Sequence, residues 1–256
     1  MTKISGVIIT YNEERHIGTC LESLQGVVDE IVVVDSFSTD KTKEICQGYG
    51  VKWIENAFTG FTDQKNYANA QATYDYILSL DADEALSEEL KSEILKAKEN
   101  LEYDGYNCNR LNNYCGRWIK HSNWYPDRKI RLFHKQKARW VGANNLHEII
   151  VLDNPKSKKF LKGDLLHWPY ENYFEHWIKI NTYTTIAAQN YHKRKPNGKV
   201  GLSKILISPF WKFFRNYIIR CGFLDGMQGF VICNFTALGT FLKYIKIREL
   251  QNKSKQ

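Results

Sequence analysis

Tyr76-Ile77-Leu78-Ser79-Leu80-Asp81-Ala82-Asp83 is an apolar run that ends in two carboxylates one residue apart. Side chains alternate along a strand, so residues two apart point the same way, and Asp81 and Asp83 are expected to meet one divalent cation and a diphosphate together. The residues upstream give that triplet a setting. Ile4–Thr10, Glu30–Asp35 and residues 51–55 read as short β-branched strands with helical stretches between them, a βαβα pattern. Ile17, Cys20, Leu21 and Leu24 recur at helical spacing, and Thr39-Asp40-Lys41-Thr42 reads as a helix N-cap before Ile45 and Cys46. In an open parallel sheet, ligands collect at the carboxyl ends of strands. The ends here are Thr10-Tyr11-Asn12-Glu13, Asp35-Ser36 and Asp81-Ala82-Asp83, three polar clusters at three ends.

Four of these stretches, in order, resemble the family 2 inverting glycosyltransferases of the GT-A fold: Val7-Ile8-Ile9-Thr10-Tyr11-Asn12-Glu13, Ile31-Val32-Val33-Val34-Asp35-Ser36-Phe37-Ser38-Thr39-Asp40, Gln64-Lys65-Asn66 and Leu80-Asp81-Ala82-Asp83. One departure is plain. Many members carry Asp-Asp-Gly-Ser after the second strand, whereas this chain has Asp35-Ser36-Phe37-Ser38. Further on, Asn109-Arg110-Leu111-Asn112-Asn113, Gly116-Arg117-Trp118-Ile119-Lys120-His121, Trp124-Tyr125-Pro126-Asp127, Arg131-Leu132-Phe133, Ala138-Arg139-Trp140, Leu146-His147-Glu148 and Leu165-Leu166-His167 are similar to one subgroup, the lipopolysaccharide inner-core glucosyltransferases.

The resemblance implies a UDP-sugar donor, a divalent cation (Mg or Mn) and a heptose of the lipopolysaccharide core as acceptor. It implies roles for individual residues. Tyr11 stacks on the base and Asp35 accepts from the base imide or the ribose, with Thr10 beside them. Lys65 takes the place of a basic residue near the nucleotide, and Glu13 supports the loop. Asp83 is the first choice for metal ligand, Asp81 supports the ribose or the metal's waters, and His167 is the distal histidine that completes the metal site. Glu148 falls where the family places its acidic acceptor-side motif and is favoured as the base; Asp127 is its competitor, though Arg128, Lys129 and Arg131 beside it suit a charge-paired residue. Trp124 and Tyr125 are expected to stack on the acceptor sugar, while Trp118 and Trp140 suit the core equally well. Plainer roles stand beside these: Tyr11 as a cap on the sheet, Asp35 as a helix cap, Lys65 as a solvated charge, His167 as a structural histidine.

Composition fits one α/β core with an appendage: 256 residues, net charge +8. The six cysteines show no Cys-x-x-Cys spacing, which reads as buried reduced thiols, and the chain starts on a core strand, so a cytosolic protein without a signal peptide is expected. The charge is uneven. Residues 1–155 carry 18 Lys plus Arg against 23 Asp plus Glu, whereas residues 156–256 carry 18 against 5. A basic tail on an acidic catalytic part suggests an anionic partner. Nucleic-acid signatures are absent from it, so an anionic membrane surface is the expected partner, and nucleic acid is not.

The division expected is a GT-A-type catalytic domain at 1–170, with a nucleotide-sugar half at about 1–100 and an acceptor half at about 101–170, followed by a basic amphipathic helical extension at 171–256. Lys193-Arg194-Lys195-Pro196-Asn197-Gly198-Lys199 is the expected joint before the aromatic helix at 202–221, which carries Lys204, Lys212, Arg215 and Arg220 and which Pro209 should break or kink. Residues 226–242 are uncharged but short of a confident membrane span. The extension would thus hold the enzyme on the inner face of the cytoplasmic membrane; its plainer role is to pack on the catalytic domain or on a second subunit, which would make a homo-oligomer. Two other functions are weighed: transfer to a peptide or another lipid-linked glycan, and nucleotide-sugar binding or scaffolding without turnover.

Overall fold

The computed structural model describes residues 2–142, 148–195, 198 and 200–253. Two compact units emerge: residues 1–111 with 127–168, and residues 112–126 with 169–256. The segment 112–126 belongs to the second unit.

The first unit is built on a mixed sheet. Four parallel strands, β1 (Ile4–Thr10), β2 (Glu30–Asp35), β3 (Lys52–Glu55) and β4 (Tyr76–Asp81), lie in the order β3-β2-β1-β4. Beyond β4 the sheet continues through β8 (Asp127–His134), β6 (Gly105–Tyr114), β11 (Lys158–Tyr170) and β5 (Glu84–Leu86), with β8 antiparallel to both β4 and β6. A hairpin of β9 (Ala138–Gly142) and β10 (Glu148–Leu152) forms a separate two-stranded sheet.

Alternation along the parallel strands explains why both faces are covered. Ile4 and Ile8 of β1, Val33 of β2, and Leu78 and Leu80 of β4 join one core with α1 (Ile17–Leu24) and α4 (Glu88–Glu99). Val7, Val32, Val34 and Ile77, the neighbours in register, join a second core with α3 (Phe61–Ala70) and the β9–β10 hairpin. Parallel strands buried on both faces read as near-continuous apolar runs, and these do. The α2 helix (Thr42–Gln47) starts where the carboxylate of Asp40 accepts from the Thr42 N–H, 3.0 Å away.

The second unit holds β7 (Arg117–Ile119), paired with the last residues of β6, and three long helices, α5 (Tyr173–Arg194), α6 (Leu202–Phe214) and α7 (Gly226–Lys253). Between α6 and α7 run a π-helical stretch, Arg215–Ile219, and a 3-10 turn, Gly222–Asp225. Buried Asp225 clamps this turn to the loop after β7, accepting from the N–H groups of Lys120 and His121 and from His121 Nδ1 at 2.9 Å. Tyr114, Trp124, Tyr170, His176 and Phe235 pack ring against ring.

Pro209 does not break its helix. The missing N–H forfeits one bond, yet α6 runs through it to Phe214, held by packing along α7 and by Ile205, which is buried against Ala188 and Ile247. Among the described residues one segment, Gly222–Lys253, is long and apolar enough to cross a membrane by length and composition alone. That is longer than the sequence suggested, because the helix continues past residue 242 to Lys253. All six cysteines are free, and Cys20, Cys46, Cys108 and Cys233 are buried.

Candidate functional site

The carboxyl ends of β1, β2 and β4 lie side by side, Thr10 in register with Asp35 and Ile9 with Asp81. The chain leaves β1 for β2 and β3 on one side and returns to β4 on the other, so β1 marks the switch point at which such sheets take their ligands.

Asp81 closes β4, but the strand ends there. Ala82 and Asp83 form a turn before β5, so the alternation expected to aim both carboxylates at one cation does not extend to Asp83. The two carboxylates accordingly have different partners. Asp81 Oδ1 pairs with Lys65 Nζ at 2.7 Å and its Oδ2 with Arg131 Nη2 at 3.2 Å. Burial alone would raise the Asp81 pKa, but the Lys65 ammonium and then the Arg131 guanidinium outweigh it and hold the carboxyl well below the usual carboxylate range. Asp83 Oδ2 lies 3.4 Å from His167 Nε2. His167 comes from β11, opposite Glu84 of β5, and the next residue, Trp168, donates its N–H to the Asp83 carbonyl at 3.0 Å.

Two residues that went unassigned in the sequence hold this turn. Glu84, with no exposed surface, accepts from the Asp81 N–H at 3.0 Å and from Arg131 Nη2 at 2.5 Å. Its Oε1 also lies 3.5 Å from Arg110 Nη1, and Arg110 in turn bonds Asp127 through Nε and Nη2 at 3.1 and 2.9 Å. Lys129 takes the other Asp127 oxygen at 3.0 Å. The result is a continuous line of alternating charge, Lys65–Asp81–Arg131–Glu84–Arg110–Asp127–Lys129. The clue available was Glu84 itself, a carboxylate set straight before Ala85-Leu86 where the chain re-enters the core.

The Gln64-Lys65-Asn66 stretch of α3 is legible as a fastener. Gln64 donates to Ser36 Oγ at 3.2 Å and accepts from Asn56 at 2.8 Å. Asn66 pairs with the backbone of Trp140 as a strand would, accepting from its N–H and donating to its carbonyl, each at 3.0 Å. Lys65, 5% exposed and so no solvated surface charge, lies 4.3 Å from the Trp140 ring centre, with Arg131 over the same ring at 5.5 Å.

Asp35 is 1% exposed, and its carboxylate accepts from the Ser38 N–H at 2.7 Å and from Ser38 Oγ at 2.5 Å, which folds the loop after β2 rather than capping a helix. Thr10 Oγ1 is buried with no hydrogen-bond partner. Tyr11 stands out from the sheet at 60% exposure. The Glu13 carbonyl accepts from the N–H groups of His16 and Ile17 and starts α1, while its own N–H bonds Thr42 Oγ1.

Glu148 opens β10, half-buried, opposite Gly142. Directly opposed residues of an antiparallel pair share a face, and so do residues two apart. Glu148 therefore lies on the face of the hairpin that carries Ile150 and Trp140, the face turned to Lys65 and Arg131. Leu146 and His147 of its motif lie outside the described residues. Trp124 and Tyr125 belong to the second unit, where Trp124 packs against Tyr114, Tyr170 and His176.

Sequence comparison agrees with this layout. The profile described as Glycosyl transferase family 2 matches residues 5–151, more than half the chain. The chain belongs to that family. An uncharacterised glycosyltransferase of Rickettsia typhi is 33% identical over 100% of this chain and 90% of its own length. The lipopolysaccharide core biosynthesis glycosyltransferase LpsC of Rhizobium meliloti is 31% identical over 94% of this chain and 93% of its own. Among solved structures, S. aureus TarS 1–349 in complex with UDP-GlcNAc superposes with a TM-score of 0.49 at 15% identity, covering 100% of this chain and 92% of that one. The protein is thus a family 2 glycosyltransferase, an α/β enzyme with a helical C-terminal part.

Proposed function

We propose that this glycosyltransferase moves glucose from UDP-glucose, with inversion, onto a heptose of the lipopolysaccharide inner core at the cytoplasmic face of the membrane. The observation that carries the site is the convergence of exposed Tyr11, buried Asp35 and the Asp83–His167 pair at adjacent strand ends of the switch point. The acceptor class rests on the likeness to LpsC, whose name states lipopolysaccharide core biosynthesis.

Tyr11 stacks on the uracil and Asp35 accepts from the base or ribose, its carboxylate oxygens keeping a lone pair each beyond the Ser38 bonds. Thr10 Oγ1, buried and unmatched, is offered to the arriving donor. Asp83 and His167, within 3.4 Å of one another, suit one divalent cation. Among the described residues no group of three or more His, Cys, Asp or Glu gathers for a metal, so Asp83 and His167 are the side chains that would hold the cation. When bound, that cation neutralises the departing diphosphate. Asp81 stays ionised between Lys65 and Arg131 and keeps the turn that presents Asp83 in place.

The Glu148 carboxylate takes the acceptor hydroxyl's proton as that oxygen bonds the anomeric carbon; the bond from that carbon to the diphosphate breaks, and its electron pair leaves with UDP. Asp127 is the weaker candidate because both its oxygens are held, by Arg110 and Lys129. Tyr125 and Trp124 are the proposed acceptor contacts.

Membrane attachment is assigned to α6. Leu202, Leu206, Phe210, Phe214 and Ile218 follow a four-residue repeat and are all exposed, with Ile207 and Trp211 beside them, so the apolar stripe of this helix points outward. Four basic residues and no acidic one lie between Leu202 and Leu224, which suits anionic headgroups.

The test is a transfer assay with purified protein, UDP-glucose, Mg or Mn and heptose-terminated core lipid. Wild type should release UDP and glucosylate the lipid, and Asp83→Ala should abolish transfer with the fold intact. Release of UDP only with a peptide or another glycan moves the acceptor; no release with any acceptor leaves a binding protein.

A further inference from the structure

Phe37 has a left-handed backbone, φ 63°, in the loop that follows β2. A bulky side chain is a true outlier there; glycine is the residue that adopts this conformation without strain. Phe37 stands where many family members have that glycine. Its ring is 55% exposed, so packing gives little in return for the strain. The conformation is imposed by the surroundings. Ser38 closes the loop onto the Asp35 carboxylate, the Asn12 N–H donates to Ser38 Oγ at 2.8 Å, and the Thr39 N–H donates to Asn12 Oδ1 at 2.7 Å. Asn12 itself has a φ of 51°, so each of the two adjoining loops holds a left-handed residue, and Asn12 braces Ser38 and Thr39, the residues that follow Phe37. Strain of this kind concentrates where a ligand is held.

The location says which ligand. Phe37 stands two residues past Asp35, the end of β2, and Tyr11 one residue past Thr10, the end of β1, and Thr10 and Asp35 are in register. Two exposed aromatic rings therefore rise from adjacent strand ends at the switch point, on loops bolted to each other. Planar, apolar faces with hydrogen-bonding edges are what a nucleobase presents, and aromatic rings bind bases by stacking.

We propose that Phe37 is a nucleobase-contacting residue, its ring covering the base of the nucleoside diphosphate alongside Tyr11. The inference rests on the donor reading above and adds to it a further base-contacting residue. Removing the ring weakens binding of the base and leaves binding of the diphosphate alone.

Calorimetry with UDP, uridine and inorganic pyrophosphate, in the presence of Mn, tests this on wild type, F37G, F37A and F37Y. F37G and F37A should bind UDP and uridine about tenfold or more weakly, the usual scale for one lost stacking partner. F37Y should keep wild-type affinity, and pyrophosphate should bind all four proteins alike. Melting should separate strain from recognition, with F37G above F37A because glycine relieves the left-handed backbone and alanine does not. Equal UDP affinity in F37G and wild type overturns the role of the ring. Weakening that is as large for pyrophosphate as for uridine also overturns it, since the residue would then act through loop shape. A wild-type protein that ignores UDP and other nucleoside diphosphates overturns the donor reading itself, and this inference with it.

Discussion

The two units differ in where they concentrate charge and apolar surface. In the first, charge goes inside: Lys65, Glu84 and Arg131 are almost fully buried, each matched to a partner of opposite sign, at the edge of an aliphatic core. In the second, rings go inside and aliphatic and aromatic residues of α6 also go outside, where nothing in that unit covers them. A buried charge is tolerable only when its partner is fixed, and the ion pairs of the first unit fix theirs. An exposed apolar stripe is the reverse case, a surface that, on the reading proposed above, meets a membrane. Catalysis and attachment should accordingly come apart under mutation.

The largest separation should come from Glu148→Gln. Loss of a positioned base lowers turnover by roughly two to four orders of magnitude. Calorimetry should find UDP binding kept, and sedimentation with anionic vesicles should find membrane binding kept. Asp127→Asn should cost far less; were it to show the larger loss, the two carboxylates exchange roles.

Next in size is Glu84→Gln, which removes the buried partner of Arg131 and Arg110 while keeping the shape. Leaving such cations short of an anion costs about 3 kcal/mol or more. Denaturant unfolding should read that loss in the first unit, and UDP affinity should fall with it because the Asp81–Asp83 turn is no longer held. An unchanged midpoint would mean that the charge line does not organise the site.

The matching probe of the second unit is His176, 6% exposed, bonded to the Tyr114 hydroxyl through Nδ1 at 2.8 Å. Burial, and then the nearby Lys179, lower its pKa from 6.5 to about 4. The unfolded chain thus takes up a proton first as pH falls. The stability that neutral His176 contributes is complete above pH 6.5 and is lost as the pH drops towards 4, by at most about 3 kcal/mol. Asp81 acts in a separate, lower window, since its depressed pKa lets go only below its ordinary value of 3.8. Melting temperatures of His176→Gln should fall less between pH 7 and pH 4.5 than those of wild type.

The sequence made the first unit's frame readable because its rules are local. The β-branched run Ile31-Val32-Val33-Val34 and helical spacing from Ile17 to Leu24 give β2 and α1 their observed limits. Asp81 was readable as a strand end for the same reason. Glu84 and Arg131 were not, because an ion pair spanning 47 residues leaves no periodic trace, and neither residue type stands out in a chain that is a quarter charged. The anchoring of His121 by Asp225, 104 positions further on, leaves no local trace either. At Pro209 the break half of the expectation fails for a related reason: the local rule against proline in helices is real, yet α6 runs through it while packing along α7.

The smallest effects, and the sharpest test of the contrast, belong to single basic residues of α6 and of the segment that follows it up to Arg220. Lys204 and Arg220 are exposed, whereas Lys212 and Arg215 are half-buried, and burial followed by the charge of Arg215 lowers the pKa of Lys212. A basic group near an anionic surface contributes on the order of 1 kcal/mol, and the attraction is screened by salt. Lys204→Gln or Arg220→Gln should therefore each weaken binding to phosphatidylserine vesicles about fivefold at low salt, and Lys212→Gln less, because its charge is less available to the surface. All four changes together should release the protein and slow transfer to lipid-embedded acceptor without altering UDP affinity or transfer to a soluble core oligosaccharide. Equal binding to neutral and anionic vesicles, untouched by the four changes, would instead make the α6 stripe a contact between two copies of the chain. A concentration-dependent mass in solution would then replace vesicle binding as its signature.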